Sequence, residues 1–170
     1  MSKKARRGRA AALYQSLPIG GTPMKVLDLV SAILKQKDRQ IWSISPDATV
    51  YEAIEMMSDK EIGALLVIEH GKLVGLLSER EYARKVILKG RLSKETPVKE
   101  IMVSPPLTVS LNCTVDEAMR MMTDHRVRHL PVVDANGVAL GVVSIGDLVK
   151  WTITSHEQTI GQLQSYIGQA

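Results

Sequence analysis

Phenylalanine is absent from this 170-residue chain, and two Trp and four Tyr make up its aromatic content. An apolar core must therefore be built from Val, Ile, Leu, Ala and the eight Met, which is possible at a hydrophobic content of 45%. Cysteine is nearly absent too. Cys113 stands alone, which excludes an intrachain disulfide and a thiolate metal cluster and fits a reducing compartment. No apolar run approaches the ~18 residues of a membrane span, and the N-terminus lacks the apolar core of a secretory signal. Acids are missing before Asp28, whereas Lys3, Lys4, Arg6, Arg7 and Arg9 all lie there. Removing those five leaves 17 basic against 18 acidic residues, so the formal charge of +4 belongs to the tail and not to the body. A basic domain face for nucleic acid is not indicated.

Catalytic groupings are also lacking. Of the four His only His125 and His129 lie near each other, and neither a metal-ligand spacing nor a Ser/His/Asp or Cys/His set can be defended. The expectation is a protein that is not an enzyme, with no catalytic cofactor and no metal.

What the chain does have is a repeat. Gly75-Leu76-Leu77-Ser78-Glu79-Arg80-Glu81 returns 66 residues later as Gly141-Val142-Val143-Ser144-Ile145-Gly146-Asp147. Each reads as a buried strand, a turn and a helix starting at the Ser. Upstream, Thr49-Val50-Tyr51-Glu52-Ala53 returns as Thr114-Val115-Asp116-Glu117-Ala118. Both are capping boxes, in which the Thr hydroxyl accepts from a free backbone N–H and the Glu reaches back to the cap. Behind them Val50, Ala53, Ile54 and Met57, and Val115, Ala118, Met119 and Met122, recur at the spacing of one-sided helices. Their Met residues are core filler.

Two strands follow each helix. Residues 64–68 and 73–77 meet across His70-Gly71, and 129–133 and 139–143 across Asn136-Gly137, a strong hairpin signal. Short extended segments precede the helices at 41–44 and 107–110. A further helix is expected before the first repeat, opening at Thr22-Pro23 and carrying Val26, Leu27, Val30, Ile33 and Leu34. A related opening returns at Thr96-Pro97. Each unit is thus strand–helix–strand–strand–helix, too small to bury both faces of its sheet alone, and the two should pack together with pseudo-twofold symmetry. The predicted class is α/β (α+β). The predicted divisions are a basic tail over 1–23, repeats over 24–90 and 91–152, and a C-terminal tail over 153–170 with room for one short helix. The tail before residue 24 reads as a solubilising extension, with organellar targeting or contact with RNA or anionic lipid as alternatives.

Ser144-x-x-Asp147 taken alone matches a third capping box, worth about 1 kcal/mol and requiring no ligand. Gly141 and Gly146 leave little bulk around that corner, and a helix start favours anions. Arg128 and His129, beginning the paired strand, offer a guanidinium and a titratable donor. A carboxylate beside a hydroxyl suits the cis-diol of a ribose. A nucleotide would explain acid, hydroxyl and base together; the alternative for Arg128 and His129 is a solvated strand end.

Thr-Val-x-Glu-Ala in both repeats, Val127-Arg128-His129-Leu130-Pro131-Val132-Val133-Asp134, and the two Gly-apolar-apolar-Ser-x-x-Asp/Glu corners make the chain resemble a tandem pair of cystathionine-β-synthase (CBS) domains over about residues 24–152. Residues 78–86 further resemble small stand-alone bacterial members. The resemblance implies a regulatory module binding an adenosine ligand in the cleft between repeats, AMP or NAD(H) ahead of ADP or ATP, and signalling to a partner. It implies a face-to-face homodimer and, with the single Cys and no span, a cytoplasmic location. By motif, Asp147 would hold the ribose, Ser144 ribose or phosphate, and Arg128 with His129 phosphate. Ala48, Ala53, Ile62, Ala64 and Val142 would contact the adenine. A second, weaker site would use Ser78, Arg80 and Glu81 with Cys113, Ala118 and Val127. There Glu81 replaces the usual Asp, and Gly63-Ala64 stand where the other repeat has Arg128-His129. The alternative function is a nucleic-acid adaptor acting through the basic tail.

Overall fold

The structure, a computed structural model, describes residues 28–37 and 40–167, with the backbone alone for 156 and 158–167. The basic tail, Thr22-Pro23, Val26 and Leu27 lie outside the described residues. Two sheets of three strands stand in the order β1-β2-β3 and β4-β5-β6, with β1 (Ser43–Ile44), β2 (Ala64–Glu69), β3 (Lys72–Ser78), β4 (Val109–Ser110), β5 (His129–Val133) and β6 (Ala139–Ser144). In each sheet the first strand runs parallel to the second and the second antiparallel to the third. The registers repeat: Ser43 opposite Leu66 and Val109 opposite Val132, Ala64 opposite Ser78 and His129 opposite Ser144.

Helix α1 (Val30–Gln36) precedes the first sheet, and α2 (Val50–Asp59) and α3 (Glu79–Lys85) belong to it; α4 (Val115–Asp124) and α5 (Ile145–Ile167) belong to the second. Both expected capping boxes form. Glu52 N donates to Thr49 Oγ1 at 3.2 Å and Thr49 N to Glu52 Oε2 at 2.7 Å, with 3.2 and 2.9 Å for the Glu117–Thr114 counterparts. The inner faces of α2 and α4 are buried at Val50, Ala53 and Met57 and at Val115, Ala118 and Met122.

Strand β2 is apolar without alternation because both of its faces are covered. Leu65 and Val67 enter the first core, while Ala64 and Leu66 join Leu76 and Ala139 in a separate apolar layer where the repeats meet. On β5 the same pleat sends Leu130 and Val132 into the second core and puts His129 on the opposite face.

The cores are completed crosswise. Val30 and Ile33 of α1, ahead of the first sheet, pack into the second core, and Val98 and Ile101, ahead of the second sheet, pack into the first. Backbone bonds fix both crossings: Val30 N to Cys113 O (2.9 Å) and Val115 N to Asp28 O (2.8 Å), and Val50 N to Thr96 O and Val98 N to Ala48 O (both 2.9 Å). The Thr96-Pro97 opening leads into a single 3₁₀ turn, Val98–Glu100, so the two leading segments match in docking but not in helix type. Helix α5 continues without a break from Ile145 to Ile167, in place of the short separate helix expected after Trp151.

Candidate functional site

A cavity of about 880 Å³ opens between the repeats at the Asp147 corner, within the usual range for small-molecule sites. The second repeat contributes His129, Gly141, Val142, Ser144 and Asp147, and the first contributes Trp42, Ile62, Gly63 and Ala64. The end of α1 closes one side with Leu34, Lys35 and Lys37. The predicted residues Ile62, Ala64, His129, Val142, Ser144 and Asp147 are thus brought together.

Three others are not, and the reasons are packing reasons. Ala53 has no exposure because it lies on the inner face of α2 within the first core. Ala48 packs against that same core from the loop ahead of α2, and its carbonyl accepts from Val98. Arg128 is exposed and is not part of the lining; its position matches Gly63 of the first repeat, one residue before the strand.

Ser144 and Asp147 do form the third capping box. Asp147 N donates to Ser144 Oγ at 3.2 Å, and Asp147 Oδ2 accepts from Ser144 N at 2.7 Å and Ser144 Oγ at 2.8 Å. The same carboxylate oxygen also accepts from Lys37 Nζ at 2.7 Å. Burial by itself would raise the Asp147 carboxyl, but the bonds from Lys37 and Ser144 outweigh it and hold the group below its ordinary 3.8.

His129 crosses toward the first repeat. A Cβ added to Gly63 would stand 3.3 Å from His129 Cε1 and 3.4 Å from both His129 Nε2 and Glu79 Oε2. The glycine therefore makes room for the imidazole, and the Gly63/Arg128 difference between repeats is a fit of one repeat to the other. Burial, ahead of the opposed influences of Asp147 and Lys37, pushes His129 below 6.5, so it is neutral at pH 7.

The Glu81 corner is built differently. Ser78 Oγ donates to Glu81 Oε2, but Ser78 makes no side-chain cap bond to the helix, so no reciprocal box forms. Arg80 Nη1 donates to Arg126 O, tying the repeats together on this side. Ala118 has no exposure and belongs to the second core. Cys113 and Val127 are half-buried against that core; the Cys113 thiol donates to Thr114 O at 3.5 Å and burial pushes its pKa up.

Lys37, Trp42, Leu34 and Glu61 line the Asp147 cavity and were not predicted. The parallel pairing of β1 with β2 would have brought Trp42 there, since Trp42 O accepts from Leu66 N at 3.2 Å. No sequence signal leads to Lys37, 110 residues from its partner.

The family model for the CBS domain matches twice, over residues 30–87 and 98–153. The chain belongs to the CBS-domain family, as a pair of CBS domains. It is 38% identical over 148 residues to the mitochondrial CBS domain-containing protein CBSX3 of Arabidopsis thaliana, covering 81% of this chain and 71% of that protein. Among solved structures it resembles a signal-transduction protein with CBS domains from Burkholderia ambifaria, at 46% identity and a TM-score of 0.72 over 74% of this chain and 94% of that one. A second neighbour is CBSX2, solved in complex with AMP, at 26% identity and a TM-score of 0.63 over 76% of this chain and 98% of that one. Among the described residues no helix is long and apolar enough to cross a membrane, and no cluster of His, Cys, Asp or Glu could hold a metal ion.

Proposed function

We propose that this chain is a non-catalytic sensor that binds an adenine nucleotide, AMP or NAD(H) ahead of ADP or ATP, in the cavity at the Asp147 corner. The observation that carries this reading is the lining itself. One cavity joins a carboxylate and hydroxyl suited to a ribose, apolar walls from both repeats, and cationic Lys35 and Lys37. The AMP complex of the CBSX2 neighbour supports the ligand class. A ligand touching both repeats stabilises the arrangement it fits, and a partner reads that arrangement.

The two corners are unequal. The Asp147 corner holds its short acid on the helix start, whereas at the Glu81 corner the longer acid has an added torsion to order on binding. We therefore expect one tight site per chain. A thermal-shift panel of AMP, ADP, ATP, NAD, NADH and S-adenosylmethionine tests the class, since ligand at 100 times its Kd adds about 2.7 kcal/mol. Calorimetry with the best ligand then tests the place: Asp147→Asn should weaken it by more than about tenfold, as loss of a charge-assisted bond requires, and Glu81→Gln should change it little. No shift by any adenosine ligand sinks the reading; two equal sites, or binding lost only with Glu81→Gln, moves it to the other corner.

A further inference from the structure

The carboxylate that would receive the ligand is already engaged. Lys37 Nζ lies 2.7 Å from Asp147 Oδ2 and also donates to Val142 O at 3.2 Å. Lys37 ends α1, while Val142 and Asp147 belong to β6 and α5, so one ammonium spans the mouth of the corner. Asp147 Oδ2 takes three donors, from Lys37 Nζ and from Ser144 N and Oγ. The Ser144 bonds are part of the helix cap and stay. Lys37 is the donor that can leave, because its side chain is 39% exposed and a partly exposed ion pair is only weakly held.

A ribose diol using both carboxylate oxygens must compete with that ammonium. An uncharged ligand displaces Lys37 and offers it nothing in return. A cationic ligand meets it with like charge. A phosphate-bearing ligand alone gives the displaced ammonium a new anion with which to form a charge-assisted bond. We infer that Lys37 is a specificity-determining residue of this cavity: it guards Asp147 in the free protein and exchanges that carboxylate for the phosphate of an incoming ribose phosphate. The inference rests on the reading of the cavity as a ribose-ligand site, and it adds the chemistry that selects among such ligands. Lys35, on the same wall, extends the cationic side.

The test is calorimetry of wild type, Lys37→Met and Lys37→Arg with AMP, adenosine and ribose 5-phosphate. Wild type should prefer AMP over adenosine by about ten- to a hundredfold, the span of one charge-assisted bond. In Lys37→Met that ratio should collapse to within a few-fold, with AMP weakened and adenosine unchanged or tightened. Lys37→Arg, which keeps the charge, should retain most of the preference. A ratio is read because a merely structural loss lowers both affinities together. An unchanged ratio in Lys37→Met overturns the role of Lys37 and leaves the adenosine reading intact. Binding of ribose 5-phosphate that depends on Lys37, with neither AMP nor adenosine bound, sustains the role of Lys37 and rejects adenine recognition. Failure of all three to bind wild type rejects both.

Discussion

At the scale of single residues, His129 is the group whose surroundings decide most. It leaves the inner face of its own sheet by the alternation of β5 and fills the space left by Gly63. Burial, with Lys37 and Arg128, depresses its pKa below 6.5, against the opposing pull of Asp147 and Glu79. The unfolded chain therefore takes the proton first. Stability from neutral His129 is fully present above about pH 6.5 and falls as the pH drops toward the lower folded value. Asp147, depressed below 3.8, adds a loss at still lower pH. If the phosphate of a ligand lies against His129, as the family resemblance implies, it reverses this preference by favouring the cation. AMP affinity should accordingly rise as the pH falls from about 7.5 to 6.5, with net proton uptake on binding in calorimetry run in two buffers. His129→Gln should flatten that profile; a profile unaltered by the substitution would remove His129 from the site.

At the scale of elements, the crossed cores mean that the segments ahead of the sheets act at a distance in sequence. Ile33 is 4% exposed in the second core, and Val98 is wholly buried in the first. Ile33→Ala should cost about 2–4 kcal/mol in denaturant unfolding, as for other buried Ile, although it lies outside the second repeat it supports. A cost below about 0.5 kcal/mol would mean that α1 does not hold that core together. The same crossing explains Gly75. A Cβ there would stand 2.5 Å from Met102 Sδ and 3.2 Å from Val103 O, where the chain ahead of the second sheet bridges to Leu76. The two hairpins differ in kind as well. The tight turn expected at His70-Gly71 forms, with positive φ at both residues. At Asn136-Gly137 only Gly137 does, and Asp134 organises the longer loop by accepting from Asn136 N and Val138 N at 2.8 Å each.

At the scale of the whole molecule, the described surface leaves apolar side chains at the ends of both repeats. Ile87 and Ile153 occupy matching positions 66 apart and are 56% and 55% exposed, with Leu88 at 77% beside the first. The family resemblance implies a face-to-face homodimer, and these residues are where that expectation can be tested. Sedimentation at micromolar concentration should give a dimer for the full chain and a monomer for Leu88→Glu combined with Ile153→Glu. A dimer unmoved by both charges places the interface elsewhere.

Much of the fold was legible in the sequence because it is dictated locally. A Thr three residues before a Glu, placed just ahead of an apolar helical pattern, caps the helix at Thr49 and at Thr114, apolar residues at helical spacing find an inner face, and strands spaced by turn residues pair with their neighbours. Both repeats, both capping boxes and both hairpins follow from such short-range rules. The corner Ser144-x-x-Asp147 was readable for the same reason, being four consecutive residues. What only the tertiary structure decided is everything that joins distant segments. It sent α1 into the second core and Val98 into the first, and it buried Ala53 and Ala118 within those cores. It also kept Arg128 out of the cavity and brought Lys37 to Asp147 across 110 residues. Those placements depend on how two half-buried sheets cover each other, which short-range spacing along the chain does not encode.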